Sequence, residues 1–396
     1  MRLLYISLYQ FKQENGKNYS LPAYGDNFWN KYLDVFDGVD ILGEKVKSYL
    51  NIGTMTELKN QKITLKIIPG ITNPKDFKND KEVYKILSEE IRKAEAILIK
   101  PSSRKGIMAI KIAEKYDKPY MVELTGDLKL TLSQNSNILK RLYSPYLHKK
   151  ILKAIKPCKF GLYVTKEYLQ KVYPISGKQC GVTDACVDCI SDEILNKRLQ
   201  KIYSLDVKKK ISIGLIGFYH DARKGIDTAI KAISLIPTDK INVELNVLAL
   251  GTEEDRKKWN NYAETVGFKH TLNFPAPRSS TQEVLEWIDT QDINILPSRS
   301  EGLPRCIVEA MSRGCPVIST TICGIPELID GKWLHKPGDY VKLSELITEM
   351  VLNKENMLAA AQTNFENSKE YLRSKLTQNR NAFLKDFKDY CEACGK

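Results

Sequence analysis

Two glutamates, Glu301 and Glu309, are separated by seven residues in the segment 297–320, PSRSEGLPRCIVEAMSRGCPVIST. This pattern predicts a strand, a tight loop, a helix and a second strand. Gly302 permits close backbone approach, and Pro304 suits the first turn of a helix. The free N–H groups and the dipole of that helix start would form a site for a phosphate. Glu309 would lie about one and a half turns into the helix, where its carboxylate can accept paired ribose hydroxyls.

Glu301 follows the first strand of this segment, and ligands of open parallel sheets bind at the carboxyl edge of the strands. Its carboxylate could therefore reach a sugar hydroxyl. The alternative interpretation is that Glu301 is an ordinary loop residue and Glu309 a helix charge that favours the dipole. Because pairs of glutamates at some fixed spacing are common, the spacing alone does not decide between the two.

The elements that must position these side chains are short β-branched runs alternating with helical patterns, which predicts an α/β fold with parallel sheets. Two such series predict two Rossmann-like domains. We expect an N-terminal domain over 1–187, a linker over 188–210 and a C-terminal domain over 211–374. An amphipathic helix over 375–396 is expected to pack back on the N-terminal domain.

The charge of this 396-residue chain is uneven: 61 Lys and Arg against 48 Asp and Glu give a formal +13. Residues 1–200 hold 34 basic and 22 acidic side chains, whereas residues 201–396 hold 27 and 26. Within the first half, the 39 residues of 128–166 contain no Asp or Glu, and leucines, isoleucines and tyrosines are interleaved with the basic residues. This composition indicates peripheral contact of 128–166 with anionic lipid or with a phosphate-rich acceptor. The alternative is an ordinary solvated helix face.

Nucleic acid is not predicted as a partner, because the sequence has no paired Cys/His zinc finger and no aromatic RNP signature. The N-terminal apolar run is short and is followed by polar residues, so it predicts a buried strand and not a signal peptide. No window has the ~18–20 apolar residues of a membrane-spanning helix. We expect a cytoplasmic protein, peripheral at the inner face of the plasma membrane.

The nine cysteines include two Cys-x-x-Cys pairs, Cys186/Cys189 and Cys391/Cys394. The odd number of cysteines indicates reduced thiols. A shared four-thiolate zinc site would require the fold to bring the C-terminus back to residue 186, so unligated thiols are the expectation and zinc the alternative.

The segment containing Glu301 and Glu309 resembles the signature of the retaining glycosyltransferases of the GT-B fold, family 4, called glycosyl transferases group 1. The matching residues are Pro297-Ser298, Glu301-Gly302-Leu303-Pro304, Glu309-Ala310-Met311, Gly314-Cys315-Pro316-Val317-Ile318, Gly324-Ile325-Pro326-Glu327-Leu328-Ile329 and Lys336-Pro337-Gly338-Asp339. A second family element is the strand 211–217 followed by Arg223-Lys224-Gly225. As a set, elements between about residues 211 and 340 are specific; the first half carries no such motif.

This resemblance implies two Rossmann-like domains that face each other across a cleft, with an acceptor-side N-terminal domain and a nucleotide-sugar donor site in the C-terminal domain. The implied donor-binding residues are Gly217, Arg223, Lys224, Arg278, Gly302, Leu303, Pro304, Arg305 and Glu309. Lys224 would stabilise the leaving diphosphate and Glu301 would contact the sugar. These two residues and Asp127 are the candidate catalytic residues.

Two departures from the family pattern affect these expectations. Many members have an arginine after the glycine that ends the first donor-domain strand, whereas Gly217 is followed by Phe218. Many also have a histidine after an N-terminal-domain strand, where this chain has Thr125-Gly126-Asp127. Asp127 is the polar group best placed there, the alternative being an ordinary turn.

The expected activity is transfer of a sugar from a UDP- or GDP-linked donor to a glycan or lipid-linked acceptor, with retention of anomeric configuration, in bacterial capsule, O-antigen or exopolysaccharide synthesis. No metal or other cofactor is expected, consistent with the absence of an Asp-x-Asp sequence. The alternative is a catalytically impaired protein of the same fold that binds a nucleotide sugar as a sensor or scaffold. An epimerase of this fold would require cleft acids and histidines that the sequence does not offer.

Overall fold

The structure is a computed structural model. The described residues are 1–46, 55–71, 74–134 and 137–395. The strands are β1 (Arg2–Glu14), β2 (Lys17–Ser20), β3 (Gly38–Lys45), β4 (Thr56–Leu58), β5 (Ile63–Ile68), β6 (Ala96–Ile99), β7 (Tyr120–Leu124), β8 (Phe160–Tyr163), β9 (Lys178–Gly181), β10 (Lys210–Phe218), β11 (Asn242–Leu250), β12 (Thr271–Asn273), β13 (Ile293–Leu296), β14 (Val317–Thr320) and β15 (Leu334–His335). The helices are α1 (Asp26–Leu33), α2 (Asp80–Lys93), α3 (Arg104–Lys115), α4 (Leu128–Ser133), α5 (Ile138–Ile155), α6 (Tyr168–Val172), α7 (Asp192–Tyr203), α8 (Ile226–Ser234), α9 (Glu253–Thr265), α10 (Thr281–Thr290), α11 (Arg305–Ser312), α12 (Tyr340–Leu352), α13 (Lys354–Ser368) and α14 (Arg373–Cys394).

The chain divides into two compact units. The first unit combines residues 1–182 with residues 377–396, and the second is the continuous segment 183–376. Each unit contains one sheet with helices packed against it, which is the layered arrangement that alternating strands and helices produce.

The sheet of the first unit is parallel in its main body, where β1 pairs with β3 and β6, and the order β6-β7-β8-β9 follows. The far end of β1 continues past a register shift and pairs with β2 in antiparallel fashion. Helix α2 buries Val83, Leu87 and Ile91, a spacing of four residues that places them on one face. Every residue of β6 is apolar and buried, as expected for a strand that is covered on both faces.

The sheet of the second unit has the order β12-β11-β10-β13-β14-β15, and all of its pairings are parallel. Strands β10 and β11 pair over nine residues each and form its centre. Helix α9 begins at a capping box, in which Thr252 and Asp255 each bond to the backbone N–H of the other. Buried residues of α8, α12 and α13 complete the core.

The segment 188–210, expected as a linker, contains α7, which belongs to the second unit. Arg198 of α7 is 4% exposed and donates to the carbonyls of Arg313, Gln291 and Ile288. An arginine that donates from Nε, Nη1 and Nη2 to three backbone carbonyls anchors the helix, because moving the helix would break buried hydrogen bonds. Residues 188–210 are thus an integral part of the second unit.

The C-terminal helix α14 begins in the second unit, and its residues from 377 onward belong to the first. Phe160 of β8 contacts three aromatic side chains of α14, with ring centroids 5.7, 5.4 and 5.3 Å from those of Phe383, Phe387 and Tyr390. Lys178 also pairs with Asp386. Residue 396, and residues 135 and 136 of the expected lipid-contacting stretch, lie outside the described residues.

No helix among the residues that the structure describes is long and apolar enough to span a membrane.

Candidate functional site

A pocket of about 370 Å³ lies at the carboxyl edge of the second sheet. Its walls come from the ends of β10 and β11 and from the loop that leads into α11. Nine residues singled out from the sequence line it: Gly217, Phe218, Lys224, Arg278, Glu301, Leu303, Pro304, Arg305 and Glu309. The structure therefore brings together side chains that are up to about 90 residues apart in the sequence, at the sheet edge where ligands of parallel α/β folds bind.

Lys224 and Glu301 form an ion pair in this pocket, with 2.7 Å between Nζ and Oε1. The Ser298 hydroxyl donates to the same Glu301 oxygen at 2.6 Å, which fixes the carboxylate. Burial lowers the pKa of Lys224, but Glu301 and neighbouring groups outweigh this effect, so the pKa lies above its ordinary value. Lys224 is therefore a cation at neutral pH and is already aimed at the pocket.

The chain turns sharply after Lys224 because Gly225 has a φ of +74°. A Cβ at this position would lie 2.1 Å from the carbonyl oxygen of Pro297, a distance that no side chain tolerates. The glycine in Arg223-Lys224-Gly225 is thus required by both backbone conformation and space. It lets the Lys224 turn lie directly against the end of β13.

Glu309 lies on the buried side of α11, 6% exposed, and its Oε1 is 2.8 Å from Nε of Arg305. Burial raises the pKa of Glu309, and the Arg305 guanidinium opposes that shift only in part. Arg305 also donates to the Thr281 hydroxyl at 3.0 Å. A buried carboxylate with free acceptor sites is suited to paired hydroxyl donors. Because the side chain is already ordered, binding does not have to supply the free energy of ordering it.

Helix α11 begins at the pocket wall. The N–H groups of Ile307 and Val308 bond to the Pro304 carbonyl at 3.2 and 3.5 Å. The first N–H groups of any helix lack partners within the helix, and its dipole favours an anion there. Pro304 precedes the helix as its N-terminal cap residue and adds no N–H group of its own.

Two predicted donor residues lie elsewhere. Arg223 is outside the pocket lining and makes a paired contact with Asp221, at 2.9 Å from Nε and 2.8 Å from Nη2. Gly302 is also outside the lining; its carbonyl accepts a hydrogen bond from the Gly324 N–H at 3.0 Å. Gly302 thus shapes the loop, and Arg223 holds the turn that carries Lys224.

Asp127 belongs to the first unit, where it caps α4 by accepting from the Leu130 N–H at 3.2 Å. Its two oxygens also accept from the hydroxyls of Tyr168 and Tyr173, at 2.8 and 2.9 Å. The side chain is 4% exposed. These contacts give Asp127 a structural task, and its assignment as a catalytic residue stays a prediction.

Other charges at the carboxyl edge of the first sheet are also paired internally. Glu123 accepts from the hydroxyls of Tyr5 and Tyr32 at 2.6 and 2.9 Å and lies 3.4 Å from Nζ of Lys100. Lys105, 1% exposed, is 3.0 Å from Glu44. Sequence reasoning missed these two polar groups, because their members come from five separate elements and from the residue after β6, and share no motif.

Among the pocket residues that were not predicted as site residues, Cys306 at the start of α11 is the one whose side chain carries a heteroatom. Burial raises the pKa of its thiol to about 12, so the thiol is protonated. Ser298 belongs to a family motif, but the sequence does not show that its hydroxyl donates to Glu301. Neither side chain has a residue type or spacing that marks its role.

The comparisons with known proteins identify the same region. The family model of glycosyl transferases group 1 matches residues 200–367, which include the whole pocket. Protein CapJ of Staphylococcus aureus is 31% identical over 361 residues, which cover 90% of this chain and 88% of CapJ. The chain belongs to the glycosyl transferases group 1 family. It is a glycosyltransferase, as the sequence motifs predicted.

A putative colanic acid biosynthesis glycosyltransferase, WcaL of Escherichia coli K12, is 30% identical to this glycosyltransferase over 132 residues, about a third of either chain. The structure of HepE from Anabaena in complex with UDP-glucose covers 98% of the chain and all of HepE, with a TM-score of 0.61 and 14% identity. Sucrose-phosphate synthase from Thermosynechococcus elongatus covers 95% of the chain and 96% of its own, with a TM-score of 0.63 and 12% identity. These structures confirm the predicted GT-B fold.

A metal site would need several ligating side chains close together in the described part of the glycosyltransferase. No group of three or more His, Cys, Asp or Glu side chains in that part of the chain could hold an ion. All nine cysteines are free thiols rather than disulfides. The expectation that the enzyme uses no metal stays a prediction, which a chelator can test.

Proposed function

We propose that the protein transfers a sugar from a UDP- or GDP-sugar to a glycan or lipid-linked acceptor, with retention of anomeric configuration and without a metal ion. The observation that carries this proposal is the convergence of Lys224, Glu301 and Glu309 in one pocket at a sheet edge. Lys224 and the start of α11 match the diphosphate of such a donor, Glu301 matches the transferred sugar, and Glu309 matches the ribose.

The donor diphosphate would bind between Lys224 and the N-terminus of α11. Lys224 is paired with Glu301 before the donor binds. The diphosphate would then replace Glu301 as part of the negative charge that neutralises the Lys224 ammonium. The Glu301 carboxylate then has acceptor capacity for a hydroxyl of the transferred sugar. Arg278 and Arg305, which also line the pocket, add positive charge where a metal would otherwise be needed.

The ribose would bind to Glu309. An ionised carboxylate has two oxygens and can accept both vicinal hydroxyls of a ribose, which gives two charge-assisted hydrogen bonds. Its raised pKa makes this interaction dependent on pH, because the protonated acid cannot accept both.

In the transfer step, the bond between the anomeric carbon and the diphosphate oxygen breaks, and its electron pair leaves with the diphosphate. The acceptor hydroxyl attacks on the same face and passes its proton to that departing oxygen. Lys224 and the α11 amides stabilise the negative charge as it develops, which is the contribution of a preorganised electrostatic site. No further base is needed, because the departing diphosphate oxygen takes the acceptor proton.

The comparisons support the chemical class of the substrates. HepE structures contain UDP and UDP-glucose, which favours a uridine donor. Relatives named for colanic acid and amylovoran biosynthesis favour a bacterial polysaccharide as the product. We expect the protein to act on the cytoplasmic side of the membrane, where nucleotide sugars are made.

A panel of UDP- and GDP-sugars, screened by thermal shift, tests the donor. The true donor should raise Tm, since ligand at about a hundredfold above Kd adds about 2.7 kcal/mol to stability. With that donor and a lipid-linked acceptor, NMR of the product should show the anomeric configuration of the donor, and a chelator should leave turnover unchanged. An inverted product or a chelator-sensitive rate would contradict the respective part of the proposal.

A second candidate is a protein that binds the nucleotide sugar without transferring it. The observation that favours it is the internal pairing of Asp127, the residue expected where many relatives have a histidine. Release of free nucleotide from the donor in the absence of acceptor separates the two candidates. An enzyme hydrolyses the donor slowly, whereas a sensor binds it and releases none.

A further inference from the structure

Helix α5 has two distinct sides. Its inner side contains buried Ser144, Leu147, Ile151 and Ile155, which anchor the helix to the first unit. This inner side accounts for the helix being in place, so the residues on its other side are not needed for packing.

The outer side carries an exposed apolar row, which we call the α5 stripe: Leu139, Leu142, Tyr143 and Tyr146. Their exposed fractions are 71%, 71%, 42% and 55%. The spacing i, i+3, i+4, i+7 places all four on one face of the helix. Exposed leucines in adjacent turns indicate a surface that is covered in function.

The same face turns basic farther along the helix. Lys149, Lys150 and Lys153, the lysine cluster, lie three, four and seven residues after Tyr146 and therefore continue the stripe. All three are exposed, and Nζ of Lys150 lies 5.3 Å from the centre of the Tyr146 ring. The outer face of α5 is thus apolar in its first half and cationic in its second.

Nothing along this segment neutralises the cluster. The stretch 128–166 has no acidic residue, and within the described part of the chain the three lysines form no ion pair. A solvated helix face of a globular protein normally alternates charges of both signs, so an exposed surface of this kind fits an anionic partner.

We propose that the α5 stripe and the lysine cluster form a docking surface for an anionic phospholipid bilayer. The leucines would enter the boundary between headgroups and acyl chains, the tyrosines would lie at headgroup level, and the lysines would contact lipid phosphates. This proposal deepens the proposed function and rests on it in one respect, namely that the acceptor is lipid-linked.

Charge and shape favour a bilayer over other partners. A second copy of the chain would bring its own lysine cluster against this one, and like charges repel. Nucleic acid would satisfy the lysines but not two exposed leucines, since phosphate contacts are made by polar groups.

The test uses the full-length protein and sedimentation with vesicles of phosphatidylcholine, either pure or containing about a third phosphatidylglycerol. We expect binding to the anionic vesicles only. Reversal of the lysine cluster, K149E/K150E/K153E, should weaken that binding roughly a hundredfold, because each lysine near the surface contributes independently. The matched control reverses three exposed lysines of the second unit, K208E/K209E/K257E, and should bind like the parent.

The apolar half needs its own variant, L139S/L142S, which should lower vesicle affinity roughly tenfold or more. Because it leaves the charge intact, the salt dependence of the remaining binding should match the parent's, whereas the lysine variant should lose most of it. The control is L235S/L352S, which removes two exposed leucines of the second unit. All variants should keep the parent's Tm, since the altered side chains are exposed.

Absent binding of the parent to anionic vesicles would overturn the proposal, as would unchanged binding of either α5 variant. It would also be overturned if L139S/L142S converted a dimer to a monomer, or if a DNA duplex competed fully with vesicles. The donor panel is independent of this test: vesicle binding without donor binding would refute the proposed function alone, and donor binding without vesicle binding would refute the docking surface alone.

Discussion

The carboxyl edges of the two sheets differ in what their charged residues contact. In the second unit Lys224, Glu301 and Glu309 line a pocket and are held by few protein partners. In the first unit Glu123 and Glu44 are held by tyrosines and lysines inside the protein. Similar residue types at equivalent edges therefore have different tasks: one set is ready for a ligand, and the other stabilises the fold.

The difference shows that charge at a sheet edge does not by itself make a site. What distinguishes the second unit is a cavity beside the charges and a helix start that faces it. In the first unit tyrosine hydroxyls occupy the acceptor positions of Glu123 that a ligand would need. Four substitutions test this contrast, two in each unit.

The largest expected effect is on the stability of the first unit. Lys105→Met removes the partner of buried Glu44 and should cost about 3–5 kcal/mol, because an uncompensated charge then stays buried. Urea unfolding followed by circular dichroism measures this loss. Lys111→Met, at an exposed position of the same helix, is the control and should change stability by less than about 0.5 kcal/mol. Equal effects of the two would mean that the pair is not structural.

The next effect is on catalysis in the second unit. Lys224→Ala should lower kcat about 10²–10³-fold, as for loss of a group that stabilises developing negative charge. Steady-state kinetics with the identified donor provide the measurement. Arg223→Ala is the matched neighbour; since Arg223 faces Asp221 outside the pocket, we expect a change of less than about fivefold. The reverse order of effects would assign the diphosphate contact to Arg223.

Glu309→Gln should weaken donor binding about 10–100-fold, since hydrogen bonds to a charged group contribute about 1.5–3 kcal/mol. Its raised pKa means that the folded protein favours the protonated acid, so ionised Glu309 lowers stability above that pKa. The glutamine variant should therefore be at least as stable as the parent at pH 8. Calorimetric titration and a thermal melt check the two parts; a large loss of Tm would contradict the assignment of Glu309 to the site.

The same pKa shift predicts how donor affinity depends on pH. Affinity of the parent should fall as the pH falls, starting above the ordinary glutamate pKa of about 4.3, because Glu309 becomes protonated. The glutamine variant should not show this fall. If the donor affinity of the parent did not fall until the pH reached the ordinary glutamate pKa of about 4.3, Glu309 would not be the residue that binds the ribose.

The smallest effect concerns Asp127. Asp127→Asn keeps the helix cap but weakens the bonds from Tyr168 and Tyr173, so we expect a stability loss of about 1 kcal/mol. Turnover of the folded variant should change by less than about fivefold. Urea unfolding and kinetics on the same sample distinguish the outcomes, and a hundredfold loss of kcat with normal stability would support the predicted catalytic role of Asp127.

The sequence was most informative where local spacing and tertiary position coincide. Gly225 and Pro304 impose a turn and a helix start at fixed offsets from Lys224 and Glu309, so the motifs predicted most of the pocket lining. The α/β class followed from alternation of strands and helices, which periodicity reports directly. The family resemblance supplied the roles that spacing could not.

Other features depend on contacts between distant residues and could not be predicted. The direction of Arg223 is set by Asp221, which has no special spacing, and the burial of Asp127 is set by two tyrosines about 40 residues later. Arg198 fixes α7 within the second unit, but in the sequence nothing distinguishes it from the other charged residues of 188–210. A single sequence does not show which hydrogen-bond partner a polar side chain will select.

The return of α14 to the first unit has a consequence for synthesis on the ribosome. Phe160 packs against Phe383, Phe387 and Tyr390, which are synthesised roughly 220 residues later. At about 5–20 residues per second, the intervening stretch takes about 10–45 s to translate. During that time the continuous second unit can emerge in full, while the first has an uncovered aromatic surface. The nascent chain can therefore complete its second unit before its first, and a truncated product would expose the apolar surface that α14 normally covers.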